Sequence, residues 1–354
     1  MLHCRTRTAG LAAAVAGVML VAALPASARP VPPQKTHFDL QAHRGGIGLT
    51  TESTLTGFAK AIALGVTTLE LDTQVTEDEH VIITHDRQIS AQKCQDTAPA
   101  FPGDPEFPYV GKYITNLTLE QVQTVNCGYQ ALPDFPDQEV VSGPMVELQA
   151  LFDLVKRFKA KHLVLNIETK VEAAAPEQTA PRALFVRRVW EEIRDAGMED
   201  QVTIQSFDWG ALMVMHSLAP DLPLVALTNF SFLEVGQPGA SVWLGGIDVD
   251  DFGGDFVSAA ASIDGVTALS PVQGFPQAGV ISDPDFVPYP DEQMITDAHA
   301  RGLKVIPWTI DDPETMNYFI DLGVDGIITN YPDRLRDVMA ENGMRLPKPY
   351  KPRP

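Results

Sequence analysis

Apolar positions along this chain repeat with two periods that take turns. Leu55, Phe58, Ala59, Ile62 and Ala63 recur at helical spacing, which predicts a helix over Ser53–Gly65 with Ser53 or Thr54 as cap and Gly65 as stop. Extended apolar runs flank it: His37–Ala42, ending at His43, and Val66–Val75. Val81–Thr84 follows across the acidic turn Glu77-Asp78-Glu79, so a hairpin is expected there. From Val146 the alternation is regular. Helices over Val146–Ala160, Pro181–Gly197, Trp209–Leu218, Phe256–Ile263, Asp291–Arg301 and Pro313–Leu322 lead to strands His162–Glu168, Gln201–Ser206, Leu222–Thr228, Val266–Ser270, Lys304–Thr309 and Val324–Thr329. Arg334–Asn342 reads as a last helix. Eight strand–helix units predict an α/β chain folded as a TIM (β/α)8 barrel in preference to an open sheet.

Residues 87–145 interrupt this rhythm. They are rich in proline and aromatics and hold Cys94 and Cys127, which reads as a small insertion after the second strand. The first 28 residues read as a leader outside the fold. Arg5 and Arg7 precede a short apolar run, and Ala26-Ser27-Ala28 is a small-residue cleavage pattern. An exported, secreted product with a barrel over 29–345 and a flexible tail over 346–354 is expected. Cys4 leaves with the leader, and a disulfide between Cys94 and Cys127 is the simplest reading outside the cell, two free buried thiols being the alternative. Loss of the leader takes two arginines and no acids, moving the net charge from −20 to −22. That charge argues against nucleic acid or an anionic membrane as partner, and no later apolar run is long enough to anchor the chain in a bilayer. A small anionic substrate stays compatible, because a bound metal inverts the local field.

The chemistry-bearing residues fall at the ends of the predicted strands, where a barrel keeps its active site. His43 follows the first strand, Glu70 and Asp72 lie in the second, and Glu168 and Lys170 close the third. Gln205-Ser206, Trp308 and Thr329-Asn330 end later ones. Side chains two apart on a strand share a face, so Glu70 and Asp72 point together into the mouth. Three inward acids repel unless a cation sits between them, and oxygen-only ligation suits one Mg²⁺ or Ca²⁺. Glu70, Asp72 and Glu168 are the candidate ligands; the alternative is structural acids paired with Arg44 or Lys170. His43 and His85 suit the acid–base work of cleaving a phosphodiester, since imidazole titrates near neutrality. Arg44 and Lys170 can grip phosphate oxygens. Trp308 and Phe207 can pack on substrate carbons or belong to the barrel core.

In its motifs the chain resembles the glycerophosphodiester phosphodiesterase family. His43-Arg44-Gly45, Thr51-Glu52-Ser53-Thr54 in place of Pro-Glu-Asn-Thr, Glu70-x-Asp72 and His85-Asp86 come first. Asn166-Ile167-Glu168-x-Lys170, Gln205-Ser206-Phe207, Trp308-Thr309 and Asp325-Gly326-Ile327-Ile328-Thr329-Asn330 follow in order. The resemblance implies a barrel with an insertion after the second strand and a divalent cation on Glu70, Asp72 and Glu168. It implies acid–base catalysis by His43 and His85, and attack on phosphorus by the substrate's own glycerol hydroxyl. Glycerol 3-phosphate and a free alcohol would be the products. Glu52 is retained as an orienting residue or a helix-capping one. Ser53 replaces the family asparagine, which bears on substrate range. Two rivals remain: a phospholipase-D-like enzyme cutting lysophospholipid or sphingomyelin, and a non-catalytic secreted binding barrel.

Overall fold

The structure is a computed structural model that describes residues 37–352. The expected leader and its cleavage site lie outside the described residues. Strand β1 (Asp39–Ala42) passes through a tight turn at His43–Gly45 to helix α1 (Leu55–Leu64). Strands β2 (Thr68–Val75) and β3 (Val81–Ile83) form the expected antiparallel hairpin. Then come β4 (Cys94–Gln95), α2 (Leu119–Gln123), β5 (Asn126–Cys127), β6 (Val146–Glu147) and α3 (Leu148–Phe158). The regular repeat continues with β7 (Val164–Thr169), α4 (Arg182–Ala196), β8 (Val202–Ser206), α5 (Trp209–Leu218) and β9 (Leu224–Thr228). After β9 come the short helices α6 (Phe230–Leu233) and α7 (Phe256–Ala261), then β10 (Val266–Pro271), a small ribbon of β11 (Gly274–Phe275) and β12 (Val287–Pro288), and α8 (Glu292–Ala300). The chain ends with β13 (Lys304–Val305), α9 (Pro313–Leu322), β14 (Gly326–Thr329) and α10 (Pro332–Glu341).

Eight strands run parallel in the order β13-β10-β9-β8-β7-β2-β1-β14. Backbone hydrogen bonds from Asp325 N to Val305 O (2.8 Å) and from Ile328 N to Pro307 O (3.0 Å) join β13 to β14 across the remaining gap. The fold is the TIM barrel. Alternation along the strands explains its two cores. Leu40, Leu69, Leu71, Leu165, Ile167, Ile204 and Ile327 face outward into the layer of helices, where Phe58, Phe152 and Phe319 are fully buried. Helix α3 shows how that layer is built. Leu148, Leu151, Phe152, Val155 and Phe158 make one continuous apolar stripe. Residues of the other parity face inward. Val225, Ala268, Ile306 and Ile328 make an apolar half with Trp308 against them, while Gln41, Thr68, Glu70, Asp72, Asn166 and Gln205 are buried on polar contacts.

Several boundaries differ from the expectation. Val146 and Glu147 are strand, because they extend the edge of β3, pairing with Ile83 and Ile82, before α3 begins. The strand expected over Lys304–Thr309 is regular only over Lys304–Val305; beyond it Ile306 N and Trp308 N still donate to Leu269 O (2.9 Å) and Pro271 O (3.1 Å), Trp308 keeps one bridge to Val272, and its indole N–H donates to Ser270 O at 2.9 Å. The tail, expected to be flexible, has no helix or strand through residue 352, yet it is held. Leu346 and Tyr350 pack on the core, Tyr350 N donates to Ile62 O (3.1 Å), and Arg336 bonds both Pro347 O and Gly65 O. Gly65 allows this docking: it sits at φ 92°, and a Cβ there would lie 2.8 Å from Pro349 N.

The interrupting segment has a core of its own, with Ile89, Tyr109, Ile114, Leu117, Val122 and Val125 buried against Ile82. Cys94 and Cys127 face each other across β4 and β5 and are bonded. Among the described residues no helix is long and apolar enough to cross a membrane.

Candidate active site

Strand register builds the carboxylate cluster. In the β2–β7 ladder Glu70 stands opposite Asn166 and Asp72 opposite Glu168. One oxygen each of Glu70, Asp72 and Glu168 therefore lies within 4.8 Å of the others. Gln205 on β8 donates to Glu70 Oε1 (2.7 Å), and Asn166 fixes Gln205 by donating to its side-chain oxygen (2.7 Å). Burial and the neighbouring acids push Glu70 well above its ordinary value. Burial also drives Glu168 up to about 7, with Asp72 adding to the rise and Lys170 opposing it. Asp72 is held low despite its burial by Lys170, His85 and Arg44. Both Asp72 oxygens are buried and accept no hydrogen bond. A buried carboxylate left in that state beside two others is the donor set of an oxygen-loving divalent cation, so these residues fit one. The pairings offered as the alternative coexist with the cluster. Arg44 Nε lies 3.2 Å from Asp72, and Lys170 Nζ lies 3.0 Å from Glu168 and 3.5 Å from Asp72.

The two histidines flank the cluster. His43 ends β1, and the turn beyond it is tight. Arg44 is left-handed at φ 52° and Gly45 follows at φ 82°, where a Cβ would meet the Phe58 ring at 2.9 Å. His43 Nδ1 lies 2.5 Å from Asn330 Oδ1. Asn330 is itself fixed by Asp311, which accepts from its side-chain amide (2.6 Å) and its backbone N–H (2.8 Å). The Asn330 oxygen thus faces the ring, which places the His43 proton on Nδ1 and leaves Nε2, 3.9 Å from Glu70, bare. His85 repeats the arrangement with Nδ1 2.7 Å from Asp86 Oδ1. Burial and then Arg44 lower His43 to about 3; burial, Lys170 and Arg44 lower His85 to about 4. Both rings are neutral bases at neutral pH.

Arg44 ties these parts together. Its backbone N–H donates to Glu70 (3.0 Å) and its guanidinium to Glu52 (2.8 Å). Glu52 therefore holds Arg44 and does not cap α1; Thr54 is the cap, accepting from Gly57 N at 3.1 Å. The cleft above the cluster has a volume of about 860 Å³. Its far side is aromatic. Phe207 packs edge-on against Trp308 (5.4 Å between centroids) and Phe232 (5.2 Å), and Phe232 stacks on Trp243 (4.3 Å). Lys170 Nζ lies 6.0 Å from the Phe207 ring centre. Trp308 meets both expectations at once, packing on the inner core while lining the cleft.

All the residues anticipated from sequence converge here except the cysteines, which lie beside the cleft in the interrupting segment. Asp311, Lys93, Phe232 and Trp243 were not foreseen. Phe232 lies in the short helix α6 and Trp243 in a single 3-10 turn, both too short to show a periodicity. Asp311 and Lys93 are ordinary charges until the fold brings them to Asn330 and Glu52.

Comparison with known proteins agrees with this geometry. A glycerophosphodiester phosphodiesterase of Caldanaerobacter subterraneus subsp. tengcongensis is 22% identical over 302 residues, 85% of this chain and 98% of that protein. A solved structure from Silicibacter pomeroyi superposes with a TM-score of 0.70 at 26% identity, covering 88% of this chain and 95% of that one. An Oleispira antarctica phosphodiesterase, solved with the product sn-glycerol-3-phosphate, superposes with a TM-score of 0.58 at 17% identity over 85% of this chain and 96% of its own. Residues 43–334 match the glycerophosphoryl diester phosphodiesterase family, and the chain belongs to it.

Proposed function

We propose that this protein hydrolyses small glycerophosphodiesters to glycerol 3-phosphate and a free alcohol, with Glu70, Asp72 and Glu168 holding one Ca²⁺ or Mg²⁺ ion. The observation that carries this reading is the buried, unsatisfied Asp72 at the centre of three carboxylates, with a bare imidazole on either side. When bound, the ion stabilises charge developing on the phosphoryl oxygens. Arg44 and Lys170 draw the phosphate into the cleft and orient it. One imidazole takes the proton of the substrate's glycerol hydroxyl as that oxygen bonds to phosphorus. The other, drawn to its protonated form by the anionic phosphate bound beside it, gives a proton to the departing alcohol oxygen. Water then opens the cyclic phosphate with the proton roles reversed. The leader's charge and apolar pattern support export, which the Cys94–Cys127 bond suits and which favours Ca²⁺ as the working ion.

The aromatic side of the cleft supports a second reading, in which the substrate carries an acyl chain along Phe207, Phe232 and Trp243. A coupled assay for released choline, the product common to both substrates, separates the two. Glycerophosphocholine and lysophosphatidylcholine are compared after chelation and re-addition of each metal. Turnover of glycerophosphocholine supports the first reading, turnover of the lipid alone replaces it, and no turnover of any phosphodiester with either metal refutes both.

A further inference from the structure

The interrupting segment brings one cation to the active site that the reaction scheme does not use. Lys93 Nζ lies 2.7 Å from Glu52 Oε1 and 2.9 Å from Asp86 Oδ2. Each of these carboxylates gives its other oxygen to a working residue: Glu52 Oε2 to Arg44 at 2.8 Å, and Asp86 Oδ1 to His85 at 2.7 Å. We propose that Lys93 is a positioning residue for this reaction, the middle of a chain Arg44–Glu52–Lys93–Asp86–His85 that sets the phosphate-gripping arginine and one imidazole relative to each other. The proposal rests on the functional reading above.

Nothing else described in the structure spans those two halves of the site in this way. Arg44 belongs to the turn after β1 and also leans on Asp72 of β2, its Nε 3.2 Å away, whereas His85, in the segment after β3, is held through Asp86. Without Lys93, Glu52 keeps Arg44, but Asp86 has only the imidazole. Its second oxygen is then free to turn toward water and take the His85 ring with it. Lys93 and His85 together hold the Asp86 carboxyl low, burial notwithstanding, so it stays an acceptor for the ring.

Lys93 is held where it can do this. It is 22% exposed and immediately precedes the bonded Cys94. Its backbone carbonyl accepts from Gly128 N (2.8 Å), next to Cys127. Gly128, at φ 67°, lets this ribbon press on the Glu52 loop: a Cβ there would fall 2.4 Å from both Thr51 Cγ2 and Val141 O. Val141 N donates to Thr51 Oγ1 at 2.9 Å, so the segment grips the residue just before Glu52 as well. The role this assigns to the segment is to brace the site from one side.

The test compares kinetics of five proteins on glycerophosphocholine with saturating metal. Lys93→Met is expected to lower kcat by about tenfold or more, as displaced orienting partners do, with KM changed far less. Lys93→Arg, which can reach both carboxylates, is expected to recover most of the rate. In a Glu52→Gln/Asp86→Asn background Lys93→Met should change kcat by less than about twofold, since nothing is left to position. If the Met variant does not fold, Lys93→Gln carries the same comparison. A wild-type protein that turns over substrate while Lys93→Met keeps kcat within about twofold overturns the brace alone. So does a full loss that persists in the double-variant background. A wild type without turnover overturns the functional reading instead.

Discussion

Removing or supplying the metal should change the stability of this protein in a pH-dependent way, through Glu168. In the folded state without metal its carboxyl is pushed from 4.5 up to about 7. Folding therefore retains a proton that the unfolded chain has released, and the metal-free fold is favoured below pH 4.5. That advantage drains away as pH rises to about 7 and leaves the charged site destabilised above it. A shift of about 2.5 units corresponds to roughly 3 kcal/mol. Cation binding works the other way, since it requires the charged carboxylate. A cation at a hundred times its Kd returns about 2.7 kcal/mol. At about 2.1 cal/mol/K per residue a chain of 354 residues has an unfolding entropy of about 0.7 kcal/mol/K, so either effect should move Tm by roughly 4 °C. The assay is thermal unfolding between pH 5 and 8, with chelator or with Ca²⁺ or Mg²⁺, on the wild type and Glu168→Gln. The wild type should lose Tm with rising pH in chelator and regain it with metal, most strongly at pH 8. Glu168→Gln should have a shallower slope, a higher metal-free Tm at pH 8, and little response to metal. A variant with the wild-type pH slope and an undiminished metal response would refute the account.

Three further outcomes follow from the same geometry. His43→Ala and His85→Ala should each cut kcat by about 10²–10⁴ while circular dichroism stays that of the wild type; near-normal rates in either remove it from proton transfer. Trp243→Ala, which unstacks Phe232, should raise KM by about fivefold for substrates with bulky apolar alcohols and leave compact ones little changed, as a substrate panel would show. Phe152→Ala opens the layer between α3 and the sheet, and urea unfolding should record a loss of about 3–5 kcal/mol.

Much of this was legible beforehand because periodicity reports burial directly. Leu69 and Leu71 alternate with Glu70 and Asp72, and that alone aims two acids into the barrel. The eight strand–helix units and the hairpin at Glu77–Glu79 were readable for the same reason. The strand expected to run to Thr309 is regular only through Val305, although backbone pairing continues to Trp308, since an apolar run does not reveal where Pro307 removes a donor from the ladder. The tail was expected to float because its prolines and lysines lack any pattern; Arg336 and Gly65, far apart in sequence, pin it. Glu52 shows the limit most clearly. Its place before a helix allowed a cap, and only the folded positions of Arg44 and Lys93 decide against it.

The contact between His43 and Asn330 spans 287 residues. Strand β1 lies in a slot between β2 and β14, so His43 and the amide that orients its ring touch although they come from far-separated parts of the sequence. A chain halted before Gly326 would lack both the wall of that slot and the Asn330 amide that orients the ring. The surroundings of His43 are therefore complete only when the last strand is in place. A C-terminally clipped chain would hold most of the site's residues without the partner that orients His43.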